Sequence, residues 1–212
     1  LNYETNKIIF VCYPPGAGGK FLINCLGVSN HAVLQHQDLI HYTQEQKKTF
    51  LINKIKGHSG PWNDLGLGCN ELFGDLKLSG TLEHGAILGE LEVGLPFNDT
   101  AIQLTKQINY DFFYVCHDEH TRYSNLKVFP NAKEIIFVNC ETFLSKRFSH
   151  SMHKEEKWWS QTDLVWNTNW YEDISTTVNG LRSFYNCLGY TDFDSVSEWI
   201  KKYYELWINE IR

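Results

Sequence analysis

Several absences narrow the chain before any motif is read. There is no basic excess: 19 Lys and Arg stand against 25 Asp and Glu, for a formal net charge of −6 over 212 residues. Duplex-binding proteins carry a positive footprint, so general nucleic-acid binding is not expected. No run of roughly 18 apolar residues occurs, so neither a transmembrane helix nor a membrane partner is expected. No signal-peptide pattern precedes the first predicted strand, and the expectation is a soluble, cytoplasmic protein. None of the six cysteines forms C-x-x-C, which removes the zinc-ribbon and thioredoxin patterns. Cys12, Cys116 and Cys140 lie in or at the end of apolar runs. They read as buried thiols in a reducing compartment, with disulfides as the alternative. There is no internal repeat and no low-complexity tract.

What is present suits one sizeable core: 42% of the residues are hydrophobic and 15% aromatic. The expectation is a single domain over residues 1–212 with an irregular insertion. Nine of the fifteen glycines fall between Gly57 and Gly94, so residues 57–96 are too broken for an ordinary connection. Strands are predicted at Lys7 to Tyr13 (KIIFVCY), Asp111 to Cys116 (DFFYVC) and Glu134 to Val138 (EIIFV), short apolar runs buried on both faces. Helices are predicted at 20–26, 43–56, 99–108, 141–149, 172–188 and 195–211. Capping boxes are read at Thr43 with Gln46 and at Ser195 with Glu198. Strands alternating with helices predict an α/β fold, a three-layer P-loop-like architecture with a mainly parallel sheet.

The stretch "FVCYPPGAGGKFLINCL" joins the first strand to the first helix. Ligands of such sheets bind at the carboxyl ends of the strands, and helix N-termini offer unpaired N–H groups and a positive dipole end. Gly16, Gly18 and Gly19 would let the backbone curl around an anion, with Lys20 as a mobile cation. The Walker A frame places Pro14 and Phe21 where its first glycine and magnesium-binding hydroxyl belong. A phosphate is expected there, but not an ordinary Mg-NTP. A plain tight turn is the alternative.

The loop resembles that of the sulfotransferase superfamily, whose members carry P-K-x-G-G-T-[ST]-L or Y-P-K-S-G-T-T-W between a strand and a helix. Here Pro15-Gly16-Ala17-Gly18-Gly19-Lys20-Phe21-Leu22 aligns with it. The proline, the glycine pair and the leucine match. The family's lysine falls on Gly16 and its hydroxyl pair on Lys20-Phe21. "YDFFYVCHDEH" is similar to the family's strand that ends in the acceptor-side histidine, here His117. "FPNAKEIIFVNCETFLSKRFSH" resembles the strand before R-[DN]-P and a downstream serine, with Asn139-Cys140-Glu141 in place of the motif and Arg147 and Ser149 nearby.

The resemblance implies sulfuryl transfer from 3′-phosphoadenosine-5′-phosphosulfate (PAPS) to a hydroxyl on a small-molecule or carbohydrate acceptor. It implies Pro15, Gly16, Ala17, Gly18, Gly19, Lys20, Phe21, Arg147 and Ser149 as donor-binding residues, His117 and Lys20 as catalytic residues, and no metal. Neutral imidazole near pH 7 makes His117 the best base on chemical grounds; a strand-end histidine capping a carbonyl is the alternative. A kinase with a degenerate loop, using Asp118 or Glu119 for a metal, is one alternative function. A non-catalytic nucleotide binder is another. The pairs His117-x-x-His120 and His150-x-x-His153 read as loop histidines, with a metal site as the sharper alternative. Trp158, Trp159, Trp166 and Trp170 read as core or cover packing, and Val196, Trp199, Ile200 and Tyr203 as the packed stripe of the last helix.

Overall fold

A computed structural model describes residues 8–14, 16–33, 43–56, 111–116, 126, 132–147 and 164–210. In chain order they form β1 (Ile8–Cys12), α1 (Gly19–Gly27), β2 (Ala32–Val33), α2 (Gln44–Lys56), β3 (Asp111–Cys116) and β4 (Lys133–Val138). Then come α3 (Cys140–Arg147), β5 (Leu164–Asn167), a 3₁₀ segment (Thr168–Glu172), α4 (Ile174–Leu188) and α5 (Phe193–Glu210). The five strands make one sheet in the order β2-β3-β1-β4-β5. All four pairings are parallel. The fold is therefore α/β, a parallel sheet flanked by helices.

β1 lies at the centre because its side chains tolerate burial on both faces. Ile9, Phe10, Val11 and Cys12 are all fully buried. Ile9, Val11 and Tyr13 join the core under α1, α4 and α5, while Phe10 and Cys12 point to the opposite face. The connection from β1 to β2 runs toward one edge of the sheet, and that from β4 to β5 toward the other. Phe21 of α1 and Phe143 of α3 both reach the rings of Tyr171 and Trp207.

The predicted helix starts are mostly local chemistry. Thr43 and Gln46 form the expected capping box: Thr43 N donates to Gln46 Oε1 at 2.8 Å, and Gln46 N to Thr43 Oγ1 at 3.3 Å. Asp173 caps α4 by accepting from Thr176 N at 2.8 Å. That backbone donor and the Thr176 hydroxyl hold its carboxyl below the ordinary value. Gly189, at φ +78°, closes α4; Tyr190 N reaches Tyr185 O and Gly189 N reaches Asn186 O, a Schellman arrangement.

Two local expectations are corrected, and one strand was not anticipated. α5 starts at Phe193, so Ser195 is in its first turn instead of capping it, and its hydroxyl donates to Asp192 O at 2.8 Å. Residues 164–167, read only as part of an aromatic stretch, are the edge strand β5. Leu164 and Trp166 face in and Val165 faces out, a period of two over only four residues. β2 is two residues long, too short to carry a period. The helix predicted at 99–108 and the insertion at 57–96 lie outside the described residues.

Cys12, Cys25 and Cys140 are buried free thiols, and Cys187 is an exposed one. Burial pushes the Cys25 thiol up. Lys47 is buried and donates through Nζ to the carbonyls of Gly27, Ser29 and Ala32 at 3.2, 2.7 and 2.6 Å. It closes the C-terminal end of α1 with a cation, where the helix dipole favours one. No helix among the described residues is long and apolar enough to cross a membrane.

Candidate functional site

The strand order sets where a ligand fits. β1 and β4 are neighbours whose onward connections leave in opposite directions, so their carboxyl ends flank a topological switch point. Two segments emerge there: the glycine loop after β1, and Asn139 between β4 and α3. Asn139 is the one non-glycine residue with positive φ (+58°) among the described residues.

The loop is built from two left-handed residues. Ala17 N donates to Pro14 O at 3.1 Å, closing a turn in which Gly16 has φ +84°. The third position of a type II turn needs such a positive φ, which only glycine adopts at no steric cost. Gly18, at φ +79° and ψ +18°, is the N-cap of α1. Its carbonyl accepts Phe21 N at 3.1 Å and Leu22 N at 3.5 Å, which starts the helical ladder.

Three aromatic rings press on this turn. A Cβ on Gly19 would collide with the Tyr13 ring. One on Gly18 would stand 2.9 Å from Tyr171 Cε2 and 3.1 Å from Trp207 Cζ2. Close packing is therefore one sufficient reason for both glycines. It does not account for their donors. Among the described residues, the N–H groups of Gly16, Gly18 and Gly19 donate to no carbonyl or side chain, and Gly18 and Gly19 are buried. An orphaned buried N–H is rare and costly, and a phosphate oxygen is a natural acceptor for it.

The expected site residues separate into groups. Gly16, Ala17, Gly18, Gly19, Lys20 and Phe21 share the one loop and helix start. Within it the N–H of Ala17 is spent on Pro14 and that of Phe21 on Gly18. The Phe21 ring turns inward, stacked on Trp207 at 4.4 Å and on Tyr203 at 5.7 Å. Lys20, the second residue of α1, is half-buried. Arg147 ends α3 at the pole away from the crevice, about 10 Å of helix rise beyond Cys140. Cys116 ends β3 in register with Cys12 of β1. Pro15, His117, Ser149 and the remaining histidine pairs lie outside the described residues.

No family model, curated protein or solved structure matches the chain.

Two residues that shape the loop, Tyr171 and Trp207, were not anticipated as part of it. They come from the 3₁₀ segment and from α5, 153 and 189 positions from Gly18, and nothing in local spacing links them to it. Tyr13, directly before the loop, was legible only as the end of a strand. At Asn139, where an arginine of R-[DN]-P would be expected, the side chain instead donates Nδ2 to Asn167 Oδ1 at 3.1 Å. That Asn167 oxygen also accepts Asn169 N at 3.0 Å, and Thr168 Oγ1 donates to Asn139 O at 2.6 Å. These bonds tie the end of β4 to the end of β5 with neutral groups. Among the described residues no group of three or more His, Cys, Asp or Glu is placed to hold a metal.

Proposed function

We propose that the loop from Gly16 to Lys20 binds the phosphate of a nucleotide, in a sulfotransferase-like transferase of P-loop-like architecture. The observation that carries this reading is that the N–H groups of Gly18 and Gly19, both buried residues at the switch point, donate to no other described residue. The adjoining dipole of α1 and the cation of Lys20 favour an anion at the same place. The anion is a donor of the PAPS type, and the acceptor is a hydroxyl on a small molecule or carbohydrate.

The reaction is an in-line displacement. The acceptor oxygen forms a bond to sulfur, the bond from sulfur to the bridging phosphate oxygen breaks, and His117 takes the acceptor proton. Charge building on the leaving phosphate is met by the loop amides and Lys20. No metal takes part in this scheme.

Calorimetric titration tests it. Adenosine 3′,5′-bisphosphate is expected to bind without magnesium and more tightly than Mg-ATP. Tighter, magnesium-dependent binding of ATP would favour a kinase. Binding of the bisphosphate without any turnover of acceptors, unchanged in His117→Ala, would favour a non-catalytic binder. Binding of neither nucleotide would refute the reading.

A further inference from the structure

The peptide between Gly18 and Gly19 has glycine on both sides. Its plane can rotate with no Cβ to oppose it, so it is the least constrained peptide of the loop. Its orientation matters, because its two polar ends serve different partners. The carbonyl of Gly18 accepts Phe21 N and Leu22 N inside α1. It also accepts the hydroxyl of Tyr171 at 2.8 Å, a buried contact across the core. In a trans peptide the carbonyl and the following N–H point in opposite directions. With the Gly18 oxygen held down the helix axis, the Gly19 N–H must point out of the N-terminus of α1, toward the crevice beyond β1 and β4.

Tyr171 is itself held firmly. Its ring packs on Trp207 at 4.9 Å, Phe143 at 5.1 Å and Phe21 at 5.5 Å. Its backbone carbonyl accepts the hydroxyl of Tyr204 at 2.7 Å. Its hydroxyl therefore cannot follow a moving loop without breaking packing on three sides.

We propose that Tyr171 is a positioning residue for the anion site: its hydroxyl fixes the Gly18–Gly19 peptide so that the Gly19 N–H faces the ligand. This deepens the phosphate-loop reading and rests on it. Preorganised donors bind without paying for reorientation, so the effect belongs to affinity more than to folding. A second buried tyrosine supplies the control. Tyr185 donates its hydroxyl to Cys25 O at 2.8 Å, the same kind of bond to the same helix, but at the end away from the loop.

The experiment compares Tyr171→Phe with Tyr185→Phe in the full chain, by urea unfolding, by amide NMR and by titration with adenosine 3′,5′-bisphosphate. Both variants are expected to lose similar, small amounts of stability. Tyr171→Phe alone is expected to shift or broaden the Gly18 and Gly19 amide signals of the free protein. It is also expected to weaken the bisphosphate by about tenfold, the scale of one lost hydrogen bond in a preorganised site. The proposal is overturned if Tyr171→Phe leaves those amide signals and the affinity unchanged, or if Tyr185→Phe changes them equally. Failure of the wild-type chain to bind the bisphosphate would sink the phosphate-loop reading instead, and the amide signals would still decide whether Tyr171 orients the peptide.

Discussion

The hydroxyl of Tyr171 donates to the carbonyl oxygen of Gly18 at 2.8 Å, joining the segment after the last strand to the loop after the first. Around this bond Phe21, Phe143, Tyr171, Tyr204 and Trp207 form one aromatic cluster. The loop that would meet a ligand on its outer side is thus part of the core on its inner side. Substitutions there will move stability and binding together unless they are chosen to separate the two.

Glycine replacements separate ring packing from backbone strain in the stability. Gly19→Ala would drive a methyl into the fully buried Tyr13 ring, and Gly18→Ala would add left-handed strain to contacts with Tyr171 and Trp207. Each is expected to destabilise by about 1–3 kcal/mol. Gly189 has nearly the same φ, +78°, with nothing within 4 Å of an added Cβ. Gly189→Ala should therefore cost only the backbone term, about 1 kcal/mol. Urea unfolding of the three variants checks the order. Equal losses at all three sites would mean that ring packing against the loop contributes nothing.

Lys47 gives a pH signature. Burial lowers it from 10.5 to about 8, with Asp192 acting in the opposite direction. A folded pKa below the unfolded one means that the folded state resists protonation. The contribution to stability is present above pH 10.5 and is lost as pH falls through 8. Stability attributable to this residue should therefore rise between pH 8 and 10. Lys47→Met is expected to abolish that rise and, by orphaning the carbonyls of Gly27, Ser29 and Ala32, to cost on the order of 3 kcal/mol at pH 7. Comparing wild type with variant at each pH cancels the buried tyrosines Tyr185, Tyr190 and Tyr203. Their hydroxyls are pushed up by burial, and they work against stability only above about pH 10. A flat difference from pH 7 to 10 would contradict the assignment.

Lys20→Ala tests the cation at the loop. The half-buried side chain starts α1, where the dipole disfavours a positive charge in the absence of an anion. Removing it is expected to weaken adenosine 3′,5′-bisphosphate by about 1.5–3 kcal/mol, the scale of a charge-assisted hydrogen bond. A thermal melt of the ligand-free variant shows how much of any loss belongs to folding instead of binding. Calorimetry and a thermal melt read the two effects; unchanged affinity would remove Lys20 from the site.

Much of the frame is local and was readable in the chain. The runs IIFVC, FFYVC and IIFV are apolar without alternation, the pattern of a strand buried on both faces, and β1 is buried on both. The Thr43–Gln46 box and the glycine that closes α4 act within a few residues. The glycine loop was visible as a break between two stiff elements. β5 escaped because LVWN is four residues long and surrounded by other aromatics, so its period of two had almost no length in which to appear. Ser195 and Glu198 matched a capping pattern, but Asp192 precedes them. Its backbone carbonyl accepts Ser195 N at 3.1 Å, which closes the first turn of α5 two residues earlier, while its carboxylate binds Ser29, Asn30 and Gln44.

The amino-acid order by itself determined the parallel α/β class and the position of a flexible, donor-rich turn between β1 and α1. Both follow from backbone sterics and hydrophobic pattern, forces that act over a handful of residues. Only the tertiary structure decided which loop amides are left over, why Gly18 and Gly19 cannot carry side chains, and which way their shared peptide faces. Those outcomes depend on Tyr13, Tyr171 and Trp207 meeting at one point in space. Contacts between residues more than a hundred positions apart are set by how the helices pack on the sheet, not by any spacing along the chain.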